Sequence, residues 1–250
     1  MLHRNTMKQR SLARCLPILL ILTACASAAT GEDKIKTWTD PNTARQEDPD
    51  FLIQGEYGST EAKASEGVQV VALGNGLFDA YLLQDGLPGS GWTREKSRVQ
   101  LKGKRHGGKV TFASADNSIS AMIEDGKFLL TGKSALPRIE RQSPTLGASP
   151  PKDSVILFDG SSAQPWEKGK VENGLLLATG CTSKQRFSDY KLHLEFLTPY
   201  KPEARGQQRG NSGIYHSGRW ETQILDSFGL EGKDNECGGI YSISEPRLNM

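Results

Sequence analysis

Cysteine is scarce, with four in 250 residues. Cys15 and Cys25 fall near the N-terminus, which leaves Cys181 and Cys237 for the rest of the chain. Neither CxxC spacing nor a Cys/His cluster occurs, so the zinc-ribbon and zinc-finger classes are excluded as readings of the sequence. The two remaining thiols either pair in an oxidising compartment or serve as small apolar side chains, and the second reading is the simpler. Long apolar runs are also missing. The stretch CLPILLILTA, residues 15–24, is too short to span a bilayer. There is no internal repeat and no coiled-coil heptad pattern. RGQQRGNSG (205–213) is rich in glycine but lacks the Lys-Ser/Thr ending and glycine spacing of a phosphate loop, and it reads as a mobile rim loop. No basic patch points to nucleic acid.

What stands at the N-terminus is a targeting signal. Arg4, Lys8, Arg10 and Arg14 precede the apolar run without an acidic residue, and small residues around Ala26 and Ala28 follow it. Residues 1–28 therefore read as a signal peptide, placing the protein outside the cytoplasm, secreted or periplasmic. LTAC (22–25) also fits lipidation of Cys25, which would anchor the chain to a membrane without spanning it. Removing residues 1–28 takes away four positive charges and moves the formal charge from +2 to about −2.

The remainder reads as all-β. Residues 29–47 are polar and aperiodic, a linker or loosely attached arm. From 48 to 142, FLIQGEY, GVQVVAL, LFDAYLL, SRVQL, KVTFA, SISAMI and KFLLTG are short strand candidates, with turns expected at GNG (74–76), KGK (102–104) and EDGK (124–127). This region is expected to form a small antiparallel barrel or sandwich. Trp92, in the loop DGLPGSGW, either caps a core or stacks on a ligand. Residues 143–153 read as a Pro-rich linker before a second β domain, 154–250. In YKLHLEF, Tyr190, Leu192, Leu194 and Phe196 share one face of an expected strand, and Lys191, His193 and Glu195 the other.

The richest stretch is RGNSGIYHSGRWETQILDSFG (209–229). A tight turn at Ser217-Gly218 makes it a β-hairpin, and a period of two sets Arg219, Glu221 and Gln223 on one face against Trp220, Thr222 and Ile224. A merely solvated face would also explain such a pattern. Glu221, Gln223 and Asp226 fall in the positions of the E-x-D-x-x-E pattern of jelly-roll glucanases. Positions 221 and 226 have opposite parity, so a bulge between them is required to turn Asp226 to the common face.

VILFDGSSAQPW, YKLHLEF, GNSGIYHSGRWETQILDSFG and CGGIYSISEP, in that order, resemble the 3-keto-disaccharide hydrolase family over about residues 153–250. The resemblance implies a bacterial carbohydrate-active hydrolase with a concanavalin-like jelly-roll sandwich, cleaving 3-keto-glycosides by C2 proton abstraction, elimination and hydration. Relatives continue beyond the position of Met250, so the sandwich is expected to be C-terminally incomplete. On this reading Glu221, Gln223 and Asp226 are candidate catalytic residues, and Arg219, Asn211, Tyr215, His193 and Glu195 candidate substrate contacts. The expected partner is an oxidised disaccharide or glycoside. No cofactor is implied, and no ligand spacing demands a metal. The competing readings are a non-catalytic carbohydrate-binding module using the same face, and a structural or adhesion protein.

Overall fold

A computed structural model describes residues 35–60 and 64–248. The signal-peptide and Cys25-anchor expectations lie outside the described residues. Residues 35–250 cluster as one compact unit, and the fold is all-β.

Eight strands close into an antiparallel barrel: β1 (Gly55–Tyr57), β2 (Glu66–Gly74), β3 (Leu77–Gln84), β4 (Arg98–His106), β5 (Lys109–Ala113), β6 (Ser120–Glu124), β7 (Lys127–Leu130) and β8 (Leu136–Ile139). Each strand pairs with its sequence neighbours, and β8 closes onto β1 through Glu56↔Ile139. Closure removes the free edges an open sheet would expose. The alternation read from the sequence sets which side chains fill the interior. Val68, Val70, Ala72, Phe78, Leu101, Phe112 and Phe128 are buried inside, and the Phe112 and Phe128 rings pack with centroids 5.3 Å apart. The β2–β3 turn is Asn75-Gly76, both at positive φ (57° and 72°), the handedness that a two-residue hairpin needs.

Three expectations change here. KGK is not a turn: Gly103 lies inside β4, and the reversal comes at Gly107-Gly108. Gly103 is there for packing, because a Cβ would sit 2.3 Å from Cε1 of Phe112. The eighth strand, Leu136–Ile139, carries a proline and was not foreseen. The polar arm is partly ordered as helix α1 (Pro41–Glu47), in which Asp40 caps the N-terminus, Pro41 opens the first turn and Ala44 is fully buried. Trp92, 5% exposed, packs with Leu83 and Leu87 and so caps a small core.

The chain after residue 199 binds back onto the barrel. Trp38 and Tyr200 exchange backbone hydrogen bonds of 3.0 and 2.8 Å, and the Tyr200 ring meets Phe51 edge-on at 5.0 Å. Residues 229–232 cover the outer face of β2 and β3, where a Cβ on Gly229 would sit 2.3 Å from Cγ2 of Val71. Two barrel arginines hold this cover. Arg98 lies 3.5 Å above the Tyr81 ring and donates to the Gly229 carbonyl. Arg94 donates to the carbonyls of Glu231 and Gly232 at 3.1 and 2.8 Å.

Residues 153–199 are far less ordered into sheet. They contribute two ladders of two-residue strands, Trp166–Glu167 with Thr182–Ser183 and Val171–Glu172 with Leu175–Leu176. The expected strand YKLHLEF has no sheet partner, and Leu192, Leu194 and Phe196 are exposed rather than facing a core. Two packed sheets of a jelly roll are therefore not assembled among the described residues.

Candidate functional site

β9 (Asn211–His216) and β10 (Trp220–Leu225) form the expected hairpin, in an unbroken register from His216↔Trp220 to Asn211↔Leu225. Ile214, Ile224 and Leu225 are strand formers, and Ser217 and Gly218, both at positive φ, open the three-residue reversal 217–219. β10 is flanked on its second side too. Gln223 exchanges backbone bonds with Gly239 and Gly238, each 2.9 Å, and Tyr241 N–H donates to the Glu221 carbonyl at 3.0 Å. With backbone partners on both sides, β10 holds its side chains at fixed heights.

Register places Asn211, Gly213 and Tyr215 on one face with Glu221 and Gln223. At the outer end, the Tyr215 hydroxyl donates to Oε2 of Glu221 at 2.8 Å. That bond, more than any other influence, raises the pKa of the Tyr215 phenol, because losing its proton would set two negative charges together. Oε1 of Glu221 has no hydrogen-bond partner among the described residues and lies over Gly213, where a Cβ would be only 1.9 Å away. The glycine thus gives the carboxylate its resting place.

At the inner end the face is a closed amide network. Gln207, from the loop before β9, accepts from Asn211 Nδ2 and from Gln223 Nε2, each at 2.9 Å. Gln207 and Gln223 both donate to the Asn235 carbonyl, at 3.0 and 3.3 Å. Gln223 is 1% exposed, buried among polar groups rather than open to a ligand. Asn211 remains exposed.

Four candidates stand elsewhere. β10 has no bulge, so Asp226 keeps its opposite parity and turns away from Glu221. Its Oδ2 lies 3.2 Å from Nε of the buried Arg209, close but not aligned as a hydrogen bond. Arg219 falls in the exposed turn, not in β10, because the reversal takes three residues instead of two. His193 and Glu195 contact each other at 3.2 Å, and Glu195 accepts the Gly147 N–H at 2.6 Å, so they join the 143–153 segment rather than the hairpin face. That backbone bond first, and His193 second, hold the Glu195 carboxyl below its usual range.

The structure adds residues the sequence did not single out. Gln207 had no signal, since nothing in RGQQRG marks which amide will fold under the hairpin. On the opposite face of the hairpin, His216 bonds Tyr190 Oη through Nδ1 at 2.6 Å and Thr222 Oγ1 through Nε2 at 2.8 Å. Two hollows of about 350 and 260 Å³ are lined by residues 36–47 and by residues around Ile156 and Pro165, and neither includes a hairpin residue.

Residues 153–250 match the 3-keto-alpha-glucoside-1,2-lyase-like domain family. The match takes in the hairpin, the Gln207 loop and the two-residue ladders, and leaves out the barrel. No curated protein and no solved structure matches the chain.

Proposed function

We propose that the Glu221 face of the hairpin removes the C2 proton of a 3-keto-glycoside and so releases the group at C1. A ketone at C3 acidifies the hydrogen on C2. A base takes that proton, and the electron pair moves onto the C3 oxygen as an enolate. When the enolate collapses back to a ketone, a C1–C2 double bond forms and the C1–O bond breaks. The departing oxygen needs a proton, and addition of water across the new double bond completes a net hydrolysis. Such a site needs one base, one acid and donors for the enolate oxygen.

The observation that carries this reading is the Glu221–Tyr215 pair: a carboxylate with one oxygen fixed by a phenol and the other unpartnered, on an accessible ribbon face. Glu221 is the base through Oε1. Tyr215, a residue 63% exposed, protonates the leaving oxygen through its hydroxyl. Asn211 is a sugar contact, with one amide proton held by Gln207 and the rest of the group open. Gln223 acts through Asn211 and Gln207 as a positioning residue. A conventional retaining glycosidase needs two carboxyls about 5 Å apart, flanking the scissile bond. Elimination needs a single base, and the turn of Asp226 to the other face supports elimination over double displacement.

The test is Glu221→Gln. The variant should keep its fold by circular dichroism and lose turnover of a 3-keto-glucoside, followed as the conjugated enone or the free sugar. Unchanged turnover removes Glu221 from the mechanism. Glycan binding by the wild-type protein without any product would select the binding-module reading.

A further inference from the structure

We infer that Tyr241 is a further catalytic residue of the hairpin face, its hydroxyl donating to the C3 enolate oxygen that forms as Glu221 takes the C2 proton. The inference rests on the elimination assigned above, which names a base and an acid but leaves the enolate oxygen without a donor.

Backbone register puts Tyr241 on that face. Thr222 and Ile240 form an antiparallel bridge. It is framed by the bonds from Tyr241 N–H to the Glu221 carbonyl at 3.0 Å and from Gln223 N–H to the Gly239 carbonyl at 2.9 Å. One residue along, Glu221 stands directly opposite Tyr241, and opposite residues of antiparallel strands share a face. On its other side Glu221 stands opposite Tyr215. The three make one row across the ribbon, Tyr215, Glu221, Tyr241, with neighbouring backbones about 4.8 Å apart. Tyr241 is fixed by its own loop, because Ile240 and Ser244 exchange backbone bonds of 2.9 Å around it. The Tyr215 phenol is raised in pKa by Glu221 first and, more weakly, by Tyr241, so the second phenol lies within electrostatic reach of the first. Tyr241 is 40% exposed, and its hydroxyl has no hydrogen-bond partner among the described residues.

The order of the row matches the order of the reacting atoms. C2, which loses its proton, lies between C1, which bears the leaving oxygen, and C3, which bears the ketone. The groups that act on them must stand in the same order: acid, base, donor. With Tyr215 as acid and Glu221 as base, Tyr241 is the phenol on the C3 side. As the proton leaves, the C2–H electron pair becomes the C2–C3 double bond and the carbonyl pair moves onto oxygen. Tyr241 keeps its own proton and stabilises that charge by a hydrogen bond.

The experiment is Tyr241→Phe, read in two ways. Turnover of a 3-keto-glucoside should fall about 10²- to 10³-fold in kcat with little change in KM. The second readout is exchange of the C2 hydrogen for solvent deuterium in the 3-keto derivative of 1,5-anhydroglucitol, which has no group to expel from C1. Exchange should fall by a similar factor, because it needs the base and the enolate donor but not the acid. Tyr215→Phe should lose more turnover than exchange. The thermal melt of Tyr241→Phe should match the wild type, since its hydroxyl bonds nothing in the fold. With Glu221→Gln inactive, wild-type exchange in Tyr241→Phe, or a loss confined to KM, overturns this assignment alone. Wild-type turnover in Glu221→Gln overturns the elimination reading, and this inference falls with it.

Discussion

Gly213→Ala tests the geometry of the base without touching the base. The added methyl would stand 1.9 Å from Oε1 of Glu221 and 2.6 Å from its Cγ and Cδ. The backbone is not the obstacle, because Gly213 is absent from the positive-φ positions. What must yield is the Glu221 side chain, and it can swing toward solvent. The fold should therefore lose little, with a change in Tm of roughly 2 °C or less. Catalysis should lose far more. To reach ordinary contact at about 3.4 Å, the carboxylate must move by more than an ångström, which breaks its alignment with Tyr215. A displacement of about 1 Å of a reacting group costs on the order of 10²-fold in rate. The assay is kcat/KM for a 3-keto-glucoside beside a thermal melt. The loss should fall on kcat, because Asn211 and its amide network are untouched. Full activity at an unchanged Tm would refute the claim that this carboxylate position is the reactive one. A large fall in Tm would refute the claim that Glu221 is free to yield.

Three further outcomes are expected. Gly103→Ala drives a methyl into the Phe112 ring, a contact buried in the barrel, and should destabilise by about 1–3 kcal/mol in urea melts; no loss would mean the ring repacks freely. Gln223→Leu leaves the Asn235 carbonyl and the Gln207 amide oxygen each without one donor, which should cost about 1–3 kcal/mol and raise KM through misplaced Asn211; a rise in KM without loss of stability would make Gln223 a direct contact instead. Burial pushes the Tyr57 phenol up to about 12 from the ordinary value of 10.0. Its folded-state pKa is thus above the unfolded one, so its contribution is complete below pH 10 and is lost as pH rises from 10 through 12. Melts across that window should fall less steeply in Tyr57→Phe than in the wild type, and parallel curves would contradict the assignment.

How far the sequence carried this picture depends on the range of the interactions involved. Strands β2 to β7 were legible because alternation over a barrel strand is a local pattern with strong turn residues at its ends. The hairpin 211–225 was legible for the same reason, and so was the common face of Glu221 and Gln223; the register of β9 against β10 is what adds Asn211 and Tyr215 to that face. KGK misled because a glycine that admits Phe112 and a glycine that makes a turn look the same in one dimension. Asp226 stands on the other face because its parity needs a bulge that the unbroken register of β10 does not contain. Arg219 was displaced by one residue of loop length. The amide network could not be foreseen, since Gln207 reaches Gln223 only after a 3₁₀ turn folds the 206–208 loop beneath β10. The segment 190–196 marks the opposite limit: its alternation was evident, but alternation does not supply a pairing strand.

The arginine grip on residues 229–232 changes how the two halves of the chain should be regarded. Arg94 and Arg98 fasten the connection that leaves β10, and that connection covers Val71 and Tyr81 on the barrel wall. A gene that discarded the barrel would strip its ribbon of a foundation, even though the family match ends short of it. The barrel is better viewed as a mounting plate than as a passenger.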